Sequence, residues 1–78
     1  MSTLERARTV VADVLRVPAD RVEPATPLND IAQLDSLSLV EIASALDEEF
    51  GIRVPSEDLG SARSLNDILA VIERSPRR

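Results

Sequence analysis

The stretch Leu34-Asp35-Ser36-Leu37 holds the residues whose types and order could do chemistry. Asp35 is an acceptor suited to an N-cap, which makes Ser36 the first residue of a helix. A hydroxyl there stands at the positive end of the helix dipole, where free backbone N–H groups stabilise a phosphate ester. Aspartate and serine also cap many helices with no further role, so the tetrapeptide alone fits both readings. The rest of the composition separates them. Histidine, cysteine, tryptophan, tyrosine and lysine are absent. The usual general base, thiol nucleophile and soft metal ligands are therefore missing. Carboxylates, hydroxyls and arginine remain, and no set of base, nucleophile and orienting group can be built from them here. The chain is predicted to be no enzyme, with no catalytic residue and no metal site of its own. Any thiol chemistry must come from an added group.

The charge pattern points to partners. The formal net charge is -5, against a nucleic-acid role, which calls for a basic stripe. Residues 30 to 58 hold eight acids, Asp30, Asp35, Glu41, Asp47, Glu48, Glu49, Glu57 and Asp58, against the single base Arg53. That segment carries -7, while the remainder, with six acids and eight arginines, carries +2. A concentrated negative field of this kind suits encounters with basic protein surfaces, although a solvated helix face also accounts for charge runs. Asp47, Glu48 and Glu49 fall near a helix C-terminus, where the dipole disfavours them, and Arg53 is the one counter-charge nearby in sequence.

The elements that must position these groups follow from period and punctuation. The spacing predicts a first helix from Thr3 to Arg16, with Ser2 and Glu5 as a capping box, Leu4, Ala7, Val11 and Val14 as its buried stripe, and Pro18 ending it. Residues 17 to 34 read as a long loop with prolines at 18, 24 and 27, pinned by Val22, Leu28 and Ile31, with a short helical turn near Leu28 to Ile31. A second helix runs from Ser36 to Phe50, with Gly51 as the left-handed residue beyond its end. Its core stripe is Leu39, Ile42, Ala43, Leu46 and Phe50, and a second face carries Leu37, Val40, Glu41, Ser44, Asp47 and Glu48. The GIRVP segment reads as loop, because Pro55 and its isolation leave it no partner strand. Ser56 is expected to cap a brief helix through Leu59, and Ser64 a last one bearing Leu65, Ile68, Leu69 and Ile72, before residues 75–78 fray. The expected fold is all-α: a small right-handed bundle of three main helices plus one short helix, with a long first loop, in a single domain over residues 1–78. No apolar run is long enough to span a membrane, and MSTLERAR has no secretory stretch, so a cytoplasmic monomer is expected.

With these elements in place, LDSLSLVEIASALDEEFGIRVP resembles the phosphopantetheine-attachment region of acyl carrier proteins. In that family Asp-Ser-Leu opens the second helix and an acidic EEFGI segment closes it. The resemblance extends over nearly the whole chain, including the Thr-Pro-Leu of the long loop and the SLNDIL that opens the last helix. It implies that Ser36 is esterified with 4'-phosphopantetheine by a phosphopantetheinyl transferase, with coenzyme A as donor and magnesium in the transferase. It implies that Asp35 helps seat the serine there, that Leu37, Val40, Glu41, Asp47 and Glu48 dock partner enzymes with Glu49 adding to their field, and that Leu46 and Phe50 line the interior. Further implied partners are an acyl- or aminoacyl-loading ligase and synthases or transferases with basic docking patches.

Three features depart from the housekeeping pattern of fatty-acid carriers: Gln33-Leu34 replaces a small pair before Asp-Ser, Ser38 replaces an acid, and Arg53 puts a positive charge where acids are common. They point to a carrier for a specialised lipid, polyketide or secondary-metabolite pathway. A leucine before Asp-Ser also resembles carriers of amino acids, so an aminoacyl or peptidyl carrier served by an adenylating enzyme is the alternative. A helical adaptor without a prosthetic group is the third reading.

Overall fold

The computed structural model describes residues 2–76, and its elements form where caps and periodicity agree. Helix α1 spans Thr3–Leu15, with the Ser2 side chain accepting from the Glu5 N–H at 3.2 Å. It ends one residue before the expected Arg16, which instead takes the left-handed conformation at φ 59°. The Arg16 N–H donates back to Ala12 and Asp13, and the Val17 N–H donates to the Ala12 carbonyl at 3.0 Å, so the last carbonyls are satisfied before Pro18 is reached.

The long connection is not structureless. One 3-10 turn covers Ala19–Arg21, within the expected loop, and a second covers Leu28–Asp30 near the expected position. Val22 and Leu28 are fully buried, and Ile31 is half-buried. Three hydrogen bonds hold the loop against distant elements: Arg8 Nε to the Val22 carbonyl at 3.0 Å, Leu28 N–H to the Arg63 carbonyl at 2.7 Å, and Asn66 N–H to the Pro24 carbonyl at 3.1 Å. The residue that opens the next helix is therefore approached by a chain fixed on both sides.

Helix α2 spans Ser36–Phe50 and closes at Gly51, whose φ of 63° explains the glycine. Ile42, Ala43 and Leu46 are buried, with Leu39 and Phe50 half-buried against them. Helix α3 spans Ser56–Leu59, but Pro55 occupies the N-cap position and Ser56 is the first helical residue rather than its cap. Helix α4 spans Leu65–Arg74. Ser64 sits at its N-cap as expected without a side-chain bond; Asp67 Oδ2 accepts from the Arg63 N–H at 2.8 Å instead.

Helix α1 packs on α2 and α4, and the short α3 bridges α2 to α4, giving an all-α bundle around one core. Ala7, Val11, Val22, Leu28, Ile42, Leu46, Leu59, Leu65 and Ile68 are essentially inaccessible. Each large apolar side chain among them contributes about 1.5–3 kcal/mol on burial. Leu4 and Val14 of the expected α1 stripe are only half-buried, because the face turned inward centres on Ala7, Val10 and Val11. The GIRVP segment contains no strand, though Ile52 forms an isolated β-bridge and the Arg53 N–H donates to the Pro76 carbonyl at 2.9 Å. Ser75 Oγ also donates to the Val71 carbonyl at 2.6 Å. Of the stretch expected to fray, Ser75 and Pro76 are thus engaged, and residues 77 and 78 lie outside the described part. No helix among the described residues is long and apolar enough to cross a membrane.

Candidate functional site

Ser36 is exposed and is the first residue of α2, so its hydroxyl projects from the end of a helix of 15 residues. Asp35 has extended backbone and caps the helix: its Oδ1 accepts from the Ser38 N–H at 2.8 Å, and its carbonyl accepts from Leu39 N–H at 3.1 Å. The N–H groups of Ser36 and Leu37 have no acceptor within the helix. The Ser38 backbone N–H, followed by the Ser38 side chain, holds the Asp35 carboxyl below its ordinary value of 3.8. No further acid occupies the first turn of α2, where the Asp35 carboxylate alone meets the positive end of the dipole beside Ser36. Chemically this is a hydroxyl that a phosphate ester can replace without disturbing the cap. The Ser36 amide, which has no acceptor within the helix, and the dipole fit a phosphodiester.

Beyond the site, Leu37 and Val40 are 65% and 51% exposed, the two large apolar side chains of the described residues left on the surface. Glu41, Ser44 and Glu48 are exposed on the same face, at helical spacing from them. Asp47 is half-buried and turned toward the GIRVP segment, where its Oδ1 accepts from the Val54 N–H at 2.7 Å. Glu49 also has a structural engagement: Arg6 of α1 pairs with it at 2.9 Å and lies over the Phe50 ring at 4.5 Å. Among the described residues, the base in an ion pair with Glu49 at the end of α2 is Arg6, not the Arg53 nearby in sequence. No local signal could have found it, because the two helices meet only in the bundle.

A model of the phosphopantetheine attachment site matches residues 5–72. The chain belongs to the acyl carrier protein family. It is similar to the acyl carrier protein of Helicobacter hepaticus, with 36% identity over 73 residues that cover 94% of this chain and 96% of that protein. The acyl carrier protein of Thermosynechococcus vestitus shares 36% over 69 residues, covering 88% and 85%. The meromycolate extension acyl carrier protein of Mycolicibacterium aurum shares 32% over 65 residues, covering 83% and 67%. As a member of this family the chain is a carrier rather than an enzyme, and its cofactor is 4'-phosphopantetheine. An acyl carrier works by meeting synthases and transferases.

Proposed function

We propose that Ser36 is the residue that bears the phosphopantetheine arm, and that the carrier serves a specialised lipid, polyketide or secondary-metabolite pathway. The observation that carries the first part is the position of Ser36, an exposed hydroxyl on the first residue of α2 beside a cap made by its neighbour. In the transferase, Ser36 Oγ would attack the β-phosphorus of coenzyme A. The new P–O ester forms as the bond to the 3',5'-ADP portion breaks, and the hydroxyl proton passes to a base of the transferase. The arm supplies the thiol on which acyl groups travel as thioesters. Tethering lets each enzyme of a pathway act at high effective concentration, so recognition need only reach the carrier surface.

Leu37, Val40, Glu41 and Glu48 form the docking face in this reading, apolar at the centre and acidic around it. Asp47 contributes to it mainly by holding the segment that follows α2. Basic patches on the transferase, a loading ligase and synthases would be attracted over several ångströms and released as contacts stay few. Support for a specialised pathway comes from Gln33-Leu34, Ser38 and Arg53, which depart from the housekeeping pattern. One relative is, by name, a meromycolate extension carrier. The reading has the chain act as a cytoplasmic monomer. Leu34 keeps the aminoacyl carrier as the second reading. Incubation with coenzyme A and a promiscuous transferase, followed by intact mass, tests the arm: one added phosphopantetheine is expected, lost in Ser36→Ala. Mass of the loaded protein from its native host then separates acyl from aminoacyl cargo.

A further inference from the structure

Beside Ser36 a groove of about 650 Å³ opens between the Leu28–Asp30 turn, the start of α2 and the connection from α3 to α4. Leu34, Leu39, Leu59 and Ala62 supply its apolar lining, and Asp30 and Arg63 bring the charges. Leu34 precedes Ser36 by two positions and Leu39 follows it by three, so the groove begins within about one helical turn of the serine. Arg63 is exposed, and among the described residues the ion pair present is Arg6–Glu49, so Arg63 and Asp30 share the groove without pairing. The backbone of Arg63 is nevertheless fixed, its N–H held by Asp67 Oδ2 at 2.8 Å and its carbonyl by the Leu28 N–H at 2.7 Å. A cation on a fixed base lines a groove of mixed polar and apolar character, and among the described residues no carboxylate pairs with it.

We infer that Arg63 is a positioning residue for the prosthetic arm: its guanidinium pairs with the phosphodiester on Ser36 and lays the arm's apolar segment along Leu34, Leu39 and Ala62. The inference rests on the reading of Ser36 as the attachment residue. The phosphodiester is the anion chosen because it is bonded to Ser36 itself, beside the groove, whereas any carboxylate on the cargo sits a full arm's length away. Arg63 can meet two phosphate oxygens at once, which a lysine cannot. Asp30 repels the same phosphate, so the two charges lining the groove set the balance between a docked and a free arm. Exposed charge pairs are individually weak. The arm is therefore held loosely and remains available to partners.

The test follows uniformly 15N-labelled protein through conversion from apo to holo form, with intact mass establishing esterification first. On conversion, the Leu39 and Ala62 amides and the Arg63 Nε resonance should shift in the parent. In Arg63→Gln those shifts should shrink while those of Leu37 and Ser38 persist, and Arg63→Lys should fall between. Asp30→Asn should enlarge them, each charge change altering the docked population about 2- to 5-fold. Capping the arm's thiol with a neutral carbamidomethyl or an anionic carboxymethyl group should give the same pattern. Groove resonances unmoved in the parent, equally moved in Arg63→Gln, or moved only with the anionic cap would overturn the assignment of Arg63 to the phosphodiester. Absence of added mass would instead remove the Ser36 reading and this inference with it.

Discussion

Arg6 and Glu49 stand 43 residues apart in sequence, yet Arg6 Nε donates to Glu49 Oε2 at 2.9 Å and a second guanidinium nitrogen to the Glu49 carbonyl at 2.6 Å. One arginine of α1 thus satisfies a terminal carbonyl of α2, neutralises one of its acids and covers Phe50. The pair is about 40% exposed on each side, so its Coulomb energy is small. Its value lies in combining three weak contacts on one side chain. Arg6→Ala is expected to lower stability by about 1 kcal/mol, summing an exposed ion pair and a cation–π contact. Urea unfolding of parent and variant measures it, and an unchanged midpoint would show the clamp to be incidental.

Asp47 should behave unlike its acidic neighbour. Truncating it leaves the buried Val54 without the acceptor for its N–H, whereas Glu48 is exposed. Asp47→Ala is expected to cost about 1–3 kcal/mol, the range for a buried donor losing its partner. Glu48→Gln should change stability by less than about 0.5 kcal/mol, as surface substitutions do. Equal midpoints for the two variants would contradict the structural assignment of Asp47.

Ser36→Ala should keep helix content and cooperative unfolding while accepting no phosphopantetheine. Asp35 still caps α2 in that variant, and an exposed hydroxyl on the first helical residue contributes little to stability. Circular dichroism and intact mass after transferase treatment check the two halves. Modification at full yield would mean that another hydroxyl is used.

The cap itself is pH-dependent with a definite sign. Because the Ser38 N–H depresses the Asp35 pKa in the folded chain, the carboxylate's stabilisation is fully present above the unfolded value of 3.8. It is lost as pH falls below that value, through the folded pKa. Asp35→Ala should therefore lower the melting midpoint at pH 7, and the difference from the parent should narrow as pH falls below 3.8. A gap that stayed constant into that acid range would show that packing, not charge, sets the effect.

Reversing Glu41 and Glu48 to lysine should slow loading by the transferase and partner enzymes while the fold persists, since both side chains are exposed. Charges on such a rim act chiefly on association, and salt screens them with a Debye length of about 10 Å at 0.1 M. The difference in loading rate should be largest at low salt. Equal rates there would exclude the acidic face from recognition.

The sequence by itself determined the elements and the place of Ser36 as the first residue of the second helix. Caps at Ser2 and Asp35, the left-handed Gly51 and the 3.6-residue stripes are local signals, each set within a few residues by hydrogen bonding and burial, and the structure follows them closely. The absence of histidine, cysteine and lysine similarly limited the chemistry before any fold was known. What only the tertiary structure decided was which charges have partners. Arg6 rather than Arg53 meets the end of α2, Asp47 turns to Val54 while Glu48 faces out, and Arg63 comes beside the groove near Ser36. Sequence spacing cannot report these relations, because charged side chains are long and exposed, tolerate many neighbours, and acquire particular ones only when packed helices fix their backbones side by side.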